Sequence, residues 1–194
     1  GEGMHSGRSA FFIRLAGCTV GCSWCDTKHS WPQTMHRPMP LGELAAQARS
    51  ASRAGAGFVV ITGGEPLHHN LDELCTALAA TGLPLHLETS GVDSLSGRFA
   101  WITLSPKPHA PPQAAVLAAC QELKVVIHTP SDLTFAEAMA DAASQARPPG
   151  KAAPVLLLQP GWGSDDGQAL ALAHVQAKPT WRLSLQSHKL LGLR

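Results

Sequence analysis

The stretch Ala10-Phe11-Phe12-Ile13-Arg14-Leu15-Ala16-Gly17-Cys18-Thr19-Val20-Gly21-Cys22-Ser23-Trp24-Cys25-Asp26-Thr27 decides how the rest of the chain is read. It opens on apolar strand formers interrupted only by Arg14 and runs without a spacer into a loop that carries three cysteines. The loop therefore lies at the C-terminal end of a strand. In parallel α/β folds that is the end at which ligands bind.

The pattern continues outward from this unit. Apolar spacing predicts a helix over 41–54, with Leu41, Leu44, Ala45 and Ala48 on one face, and then a fully apolar strand over 58–61. Further helices are expected over 71–81, 114–121, 134–146 and 166–176. Further strands are expected over 85–88, 101–104, 124–127, 155–158 and 181–185. Such alternation argues for a parallel sheet covered by helices. A complete eightfold barrel usually takes about 250 residues; this chain has 194, and the link over 91–100 is too short for a helix with its turns. The expected fold is α/β: a partial, open parallel barrel with a reduced number of helices. The Pro/Gly-rich stretches 38–40, 106–112 and 147–154 read as loops, and no repeat or low-complexity linker divides the chain, so one domain over 1–194 is expected.

Composition narrows the function. Fifteen Lys and Arg stand against fourteen Asp and Glu, a formal charge of +1, with no basic run to track phosphates or an anionic membrane. Nucleic acid and lipid are not expected as partners. No apolar stretch is long enough to span a bilayer, and Gly1-Glu2-Gly3-Met4-His5 is not a signal peptide, so a reducing cytoplasm is the expected setting. The chain starts without methionine inside what reads as a motif, and residues upstream of Gly1 are expected. A core of this size forms without disulfides, which leaves the five cysteines free for other work. Cys75 and Cys120 fall in Ala- and Leu-rich helical patterns and read as buried apolar thiols.

The polar clusters all follow strands. After the first strand come Cys18, Cys22 and Cys25; after the second, Thr62-Gly63-Gly64-Glu65-Pro66; after the third, Thr89-Ser90-Gly91; after the fourth, Ser105-Pro106-Lys107; after the sixth, Gln159-Pro160; after the last, Gln186-Ser187-His188-Lys189. Structural zinc usually takes four closed ligands, whereas three cysteines on one short loop suit a cubane iron-sulfur cluster with one iron left open. A zinc site completed by His29 or His36 is the alternative. Glycines permit close backbone approach, and the Glu65 carboxylate can accept from an ammonium group. Thr27 beside Asp26 offers a hard oxygen for magnesium. Arg14 either snorkels at an edge or points into the barrel to grip a carboxylate, and the second is favoured. Lys107 and Glu88 are candidates by position. His68 and His69 read as a loop pair without a role.

Cys18-x3-Cys22-x2-Cys25 with Gly63-Gly64-Glu65-Pro66 resembles radical S-adenosylmethionine (SAM) enzymes. The wider set is similar to one family among them, the 7-carboxy-7-deazaguanine synthases: Gly1-Glu2-Gly3, Arg14-Leu15-Ala16-Gly17-Cys18, Trp24-Cys25-Asp26-Thr27, Thr62-Gly63-Gly64-Glu65-Pro66, Ser105-Pro106-Lys107 and Gln186-Ser187-His188-Lys189 stand in that family's order. The family's first motif is Gln-Gly-Glu-Gly after a strand, and here the glutamine is absent. The resemblance implies a [4Fe-4S] cluster on Cys18, Cys22 and Cys25, and a SAM site of Trp24, Cys25, Asp26, Gly64, Glu65, Thr89, Ser90, Ser105, Pro106, Lys107 and Gln159. It implies magnesium at Thr27 and a pterin site at Gly1, Glu2, Gly3, Arg14, Thr62, Glu88 and His188.

By the same resemblance, a radical drawn from SAM removes hydrogen from 6-carboxytetrahydropterin, which contracts to a deazapurine with loss of ammonia while SAM is re-formed as a cofactor. An electron donor such as a flavodoxin or ferredoxin, a homodimer, and a product that feeds queuosine and related deazapurine synthesis follow from it too. Two other readings compete. A glycyl-radical activating enzyme would share the cysteines but has less use for Thr27, the early Gly1-Glu2-Gly3 and the polar segment at His188. A non-catalytic zinc module would leave the polar strand ends without a purpose.

Overall fold

The computed structural model describes residues 1–192. Seven strands form one sheet: β1 (Phe11–Leu15), β2 (Val59–Gly63), β3 (Leu85–Thr89), β4 (Trp101–Leu104), β5 (Glu122–Ile127), β6 (Val155–Pro160) and β7 (Trp181–Leu183). They lie in sequence order, every neighbouring pair is parallel, and β1 and β7 are free edges among the described residues. The helices are α1 (Leu41–Arg53), α2 (Asp72–Ala79), α3 (Ala114–Ala119), α4 (Pro130–Gln145), α5 (Asp165–Ala177) and the short α6 (Ser187–Leu190). No helix joins β3 to β4, as the short link required. The result is an open α/β half-barrel.

Register separates the two faces. Ile13, Ile61, Leu87 and Ile102 stand side by side across β1 to β4, and Leu104, Leu123 and Leu156 continue the row onto β6. These residues point away from the barrel axis, where with Val125, Ile127, Leu158 and Trp181 they pack under the helices as the main core. Their neighbours in sequence point inward: Arg14, Thr62, Glu88, Thr103, Lys124 and Gln159. A closed barrel fills its interior with branched apolar side chains, whereas this concave face is polar along its C-terminal half.

The N-terminal half of the concave face is sealed by the start of the chain. A 3-10 turn, Gly3–His5, crosses beneath it, and the His5 ring lies 5.3, 4.5 and 4.7 Å from the rings of Phe58, His86 and Trp101. The Met4 amide donates to Glu122 Oε2 at 3.1 Å and fixes the turn to β5. Gly3 has φ +56°, and a Cβ there would collide with the Glu122 carboxylate. Burial and the neighbouring His5 push the His86 imidazole down to about 4.

Several boundaries differ from the sequence expectation, and three of them are informative. Helix α4 starts at Pro130 rather than 134, because Thr129 and Asp132 form a capping box and Pro130 takes the first helical position. Strand β5 starts at Glu122 rather than 124; Glu122 belongs, like Lys124, to the inner face, and its polarity hid the strand's beginning. After β7 the chain turns into α6 rather than extending to 185. Among the described residues no helix is long and apolar enough to cross a membrane.

Candidate active site

The C-terminal half of the concave face bounds a cavity of about 440 Å³, and most of the sequence-derived site residues meet on its wall. From the cysteine loop come Cys18, Cys22, Trp24, Cys25, Asp26 and Thr27; from β1 and β2, Arg14, Thr62, Gly64 and Glu65. Glu88, Thr89 and Ser90 follow β3, Ser105 and Lys107 follow β4, Gln159 ends β6, and Glu2 and His188 arrive from the two ends of the described chain. Gly1, Gly3 and Pro106 do not line it. Gly1 and Gly3 belong to the segment beneath the barrel, and Pro106 is buried.

The loop is anchored by backbone. Gly17 N donates to Ser30 O (2.7 Å) and Cys18 N to Trp31 O (3.2 Å). The glycine pair is zipped to the same place: Gly64 N donates to Leu15 O (2.8 Å) and Glu65 N to Gly17 O (2.9 Å). Gly63 has φ +143°, and a Cβ on Gly64 would stand 2.2 Å from Gly17 O, so neither position admits a side chain.

Glu65 is turned inward and 2% exposed. Its Oε1 accepts from the Leu67 amide (3.0 Å) and the Thr89 hydroxyl, and its Oε2 accepts from the amide and hydroxyl of Ser90 (2.7 and 2.5 Å). A carboxylate offers about four acceptor positions, and all are engaged. Glu65 ties the loop after β2 to the end of β3.

The three thiols are free of disulfides. Burial pushes Cys18 and Cys22 above the ordinary thiol range, opposed at Cys22 by the Lys107 ammonium. Metal binding must therefore displace protons from them. The Lys107 amine donates to Ser105 O and Oγ (2.8 and 2.7 Å), and burial lowers it. Among the described residues no three His, Cys, Asp or Glu side chains converge on one ion. Three free thiols on one short loop suit a cubane, in which each thiolate holds a different iron. Gln159 Oε1 is a second mark of a ligand site: it is buried in the cavity wall with no hydrogen-bond partner among the described residues. The donor set fits a cluster with an organic ligand above it.

The far end of the cavity is charged. Lys124, 7% exposed at its side chain, stands 3.5 Å from Glu88 and 3.8 Å from Glu2. Arg14 lines the same wall without an ion-pair partner among the described residues. The mouth is strapped by α6: His188 Nδ1 pairs with Glu2 Oε1, and Lys189 and Gln186 reach Asp26 at 2.5 and 3.2 Å. Burial would raise Asp26, but Lys189 holds it below the usual carboxylate range. Thr27 Oγ1 lies 3.6 Å from Cys25 Sγ.

Sequence reasoning gave no role to several contributors. Lys124 became visible only with the register, and Lys189, noted only as part of the polar cluster after the last strand, gains its role from the C-terminal turn. His68 and Asp93 brace the cysteine loop from outside, where a wider groove of about 770 Å³ opens. The Thr19 amide donates to His68 Nε2 (3.2 Å), which leaves Nδ1 as the protonated nitrogen that donates to Asp93 (2.5 Å). His69 Nε2 likewise donates to Ala16 O (2.8 Å). The one available signal was that both histidines stand one residue beyond Gly-Gly-Glu-Pro, after Leu67.

A cysteine-lined cavity at the strand ends of an open parallel half-barrel defines a radical SAM protein, and residues 12–146 match the Radical SAM superfamily. Full-length comparison is more specific. The chain is 50% identical to 7-carboxy-7-deazaguanine synthase of Prochlorococcus marinus, covering all of this chain and 93% of that one, and 47% identical to the Synechocystis protein of that name, covering all and 88%. The crystal structure of QueE from Escherichia coli superposes with a TM-score of 0.77 at 32% identity, over 96% of this chain and 89% of that one. Streptococcus suis SuiB, at 10% identity and a TM-score of 0.59, shares the fold alone. The chain belongs to the 7-carboxy-7-deazaguanine synthase family.

Proposed function

We infer that this chain converts 6-carboxy-5,6,7,8-tetrahydropterin to 7-carboxy-7-deazaguanine with loss of ammonia. The observation that carries the reading is the single cavity that joins three free thiols to the carboxylates Glu2 and Glu88 and to Arg14, which has no ion-pair partner among the described residues. Its volume is in the range of small-molecule sites. Cys18, Cys22 and Cys25 would hold a [4Fe-4S] cluster, and Gln159, Lys107, Ser105 and the Gly63-Gly64 backbone would cradle SAM. When bound, cluster and SAM supply a radical able to take a hydrogen atom from the substrate. Glu65, already saturated, acts by holding the Gly63-Gly64 edge in place.

The protein's own residues bind, orient and exclude water. Arg14 presents a guanidinium fork to the substrate carboxylate, and Thr27 offers its hydroxyl to magnesium beside that carboxylate. The 2-amino and N3–H groups of a pterin form a two-donor edge, which a carboxylate accepts side by side. Glu88 is placed for that role. The α6 strap, through His188–Glu2 and Lys189–Asp26, covers the mouth and limits water at the reacting centre.

The same reading takes the chain as one domain working as a homodimer in the cytoplasm, reduced by a flavodoxin or ferredoxin. Its test is anaerobic turnover: reconstituted protein with SAM, magnesium, reductant and 6-carboxytetrahydropterin, followed by mass spectrometry. The expected result is 7-carboxy-7-deazaguanine from the unmodified chain and none from Cys22→Ala. Deoxyadenosine without any deazapurine would keep the radical chemistry and overturn the substrate.

A further inference from the structure

The cavity contains one charged side chain that the functional reading leaves unused. Lys124 rises from the middle of β5, nearly enclosed, and its ammonium faces carboxylates from three directions: Glu88 on β3, Glu2 on the N-terminal segment, and Glu122 two residues back on its own strand. An amine confined in this way carries a desolvation cost that is repaid only by its partners. Burial alone would lower it, but those three carboxylates hold it above the ordinary lysine range, so it stays an ammonium.

The two substrate-facing carboxylates are not equivalent. Glu2 has both oxygens engaged, Oε1 with His188 and Oε2 towards Lys124. Glu88 turns only Oε2 to Lys124, and among the described residues its Oε1 makes no hydrogen bond. Without an intervening cation, two carboxylates that share an enclosed site repel each other. Glu88 would then have no ion-pair partner among the described residues to hold its free oxygen towards the cavity.

We propose that Lys124 is a positioning residue for substrate choice: its ammonium, paired with both Glu88 and Glu2, holds Glu88 with a free oxygen aimed at the two-donor edge of the pterin. The proposal rests on the pterin reading above and adds the origin of its selectivity. A ring with a carbonyl in place of the 2-amino group turns an acceptor towards Glu88 and is rejected.

The test uses unreactive, oxidised probes on the cluster-loaded, SAM-bound protein: 6-carboxypterin against 6-carboxylumazine, its 2-oxo counterpart, titrated by fluorescence. The unmodified chain is expected to favour the pterin. Lys124→Met should weaken pterin binding by about tenfold or more, the scale of one charge-assisted hydrogen bond, and erase the preference while SAM affinity is unchanged. Lys124→Arg, which keeps the charge, should retain the preference. In a Glu88→Gln background the Lys124→Met effect should largely vanish, because the lysine acts through Glu88. If the Met variant does not fold, Lys124→Gln serves the same purpose. A preference that survives removal of the charge, or a loss that extends equally to SAM, overturns the proposal. If the unmodified chain neither favours the pterin nor turns over the tetrahydropterin, the functional reading fails and the proposal falls with it.

Discussion

Strand β5 shows two proteins in one element. Its outward residues Leu123, Val125 and Ile127 are 0–2% exposed and packed into the core, while its inward residues Glu122 and Lys124 are nearly as buried yet charged. Burial alone does not distinguish the faces; satisfaction does. The outer face is satisfied by contact with helices and is complete as it stands. Inside, three carboxylates surround an ammonium, and among the described residues Gln159 keeps an unpartnered oxygen near the end of the next strand. Changes on the outer face should therefore act on stability and changes on the inner face on binding and chemistry, with crossover only where an element serves both.

The largest expected effect lies inside. Cys22→Ala should abolish product formation altogether, because a cubane held by two thiolates lacks a corner ligand, and the iron content and visible absorbance of the reconstituted protein should fall with it. Thermal unfolding of the cluster-free protein should hardly change. The matching change outside is Leu104→Ala on β4, fully buried in the core. It should cost about 2–5 kcal/mol in denaturant unfolding, the range for a cavity left by a buried leucine. SAM affinity measured well below the unfolding midpoint should be unaffected. A Leu104→Ala protein that stays folded but loses SAM would show that the faces are mechanically coupled.

The third effect concerns the plug beneath the barrel, where the concave face is aromatic rather than polar. Folded His86 stays neutral to about pH 4, whereas in the unfolded chain it takes up a proton near the ordinary histidine value of 6.5. Protonation thus favours the unfolded state as pH falls. The His86 contribution is whole above about pH 6.5, declines below it and is gone by about pH 4. The expected loss is on the order of 3 kcal/mol. His86→Phe, which can keep the 4.3 Å stack on Phe58, should remove about one proton from the slope of stability against pH. An unchanged slope would show that His86 is not the group responsible.

The contrast between faces also explains what the sequence could disclose. Outward residues are apolar at every second position and bracketed by helices, so seven strands, their parallel arrangement and the open barrel were legible from local pattern. The strand ends were legible as well, since polar clusters break apolar runs. What escaped depends on contacts far apart in sequence. Glu122 and Lys124 broke the apolar run of β5, and their purpose is set by Met4, Glu2 and Glu88, which the fold brings from elsewhere. Gly1 and Gly3 are expected at the substrate site only through the resemblance of Gly1-Glu2-Gly3 to a family motif; the turn at Gly3–His5 places them beneath the barrel, while Glu2 lines the cavity. His68 read as a loop residue because nothing local marks its bond to Thr19, 49 positions earlier.

That bond yields the smallest and most discriminating expectation, because the cysteine loop belongs to neither face. Thr19 is exposed, so when His68→Ala removes the acceptor, water can take the amide's hydrogen bond, and global stability should fall by about 1 kcal/mol or less. The loop itself loses more. Thr19 follows directly on Cys18, and without the Asp93–His68 brace the backbone between Cys18 and Cys22 is held only by its ends and by His109, whose Nε2 meets Val20 O at 3.0 Å. The reconstituted variant should therefore release iron to a chelator faster than the unmodified protein while unfolding at nearly the same denaturant concentration. Asp93→Asn, which replaces the charged partner of His68, should move chelation in the same direction by less. Equal chelation rates in all three proteins would mean that the backbone bonds of Gly17 and Cys18 to Ser30 and Trp31 are enough to set the loop, and the histidine would then be a surface contact rather than a brace.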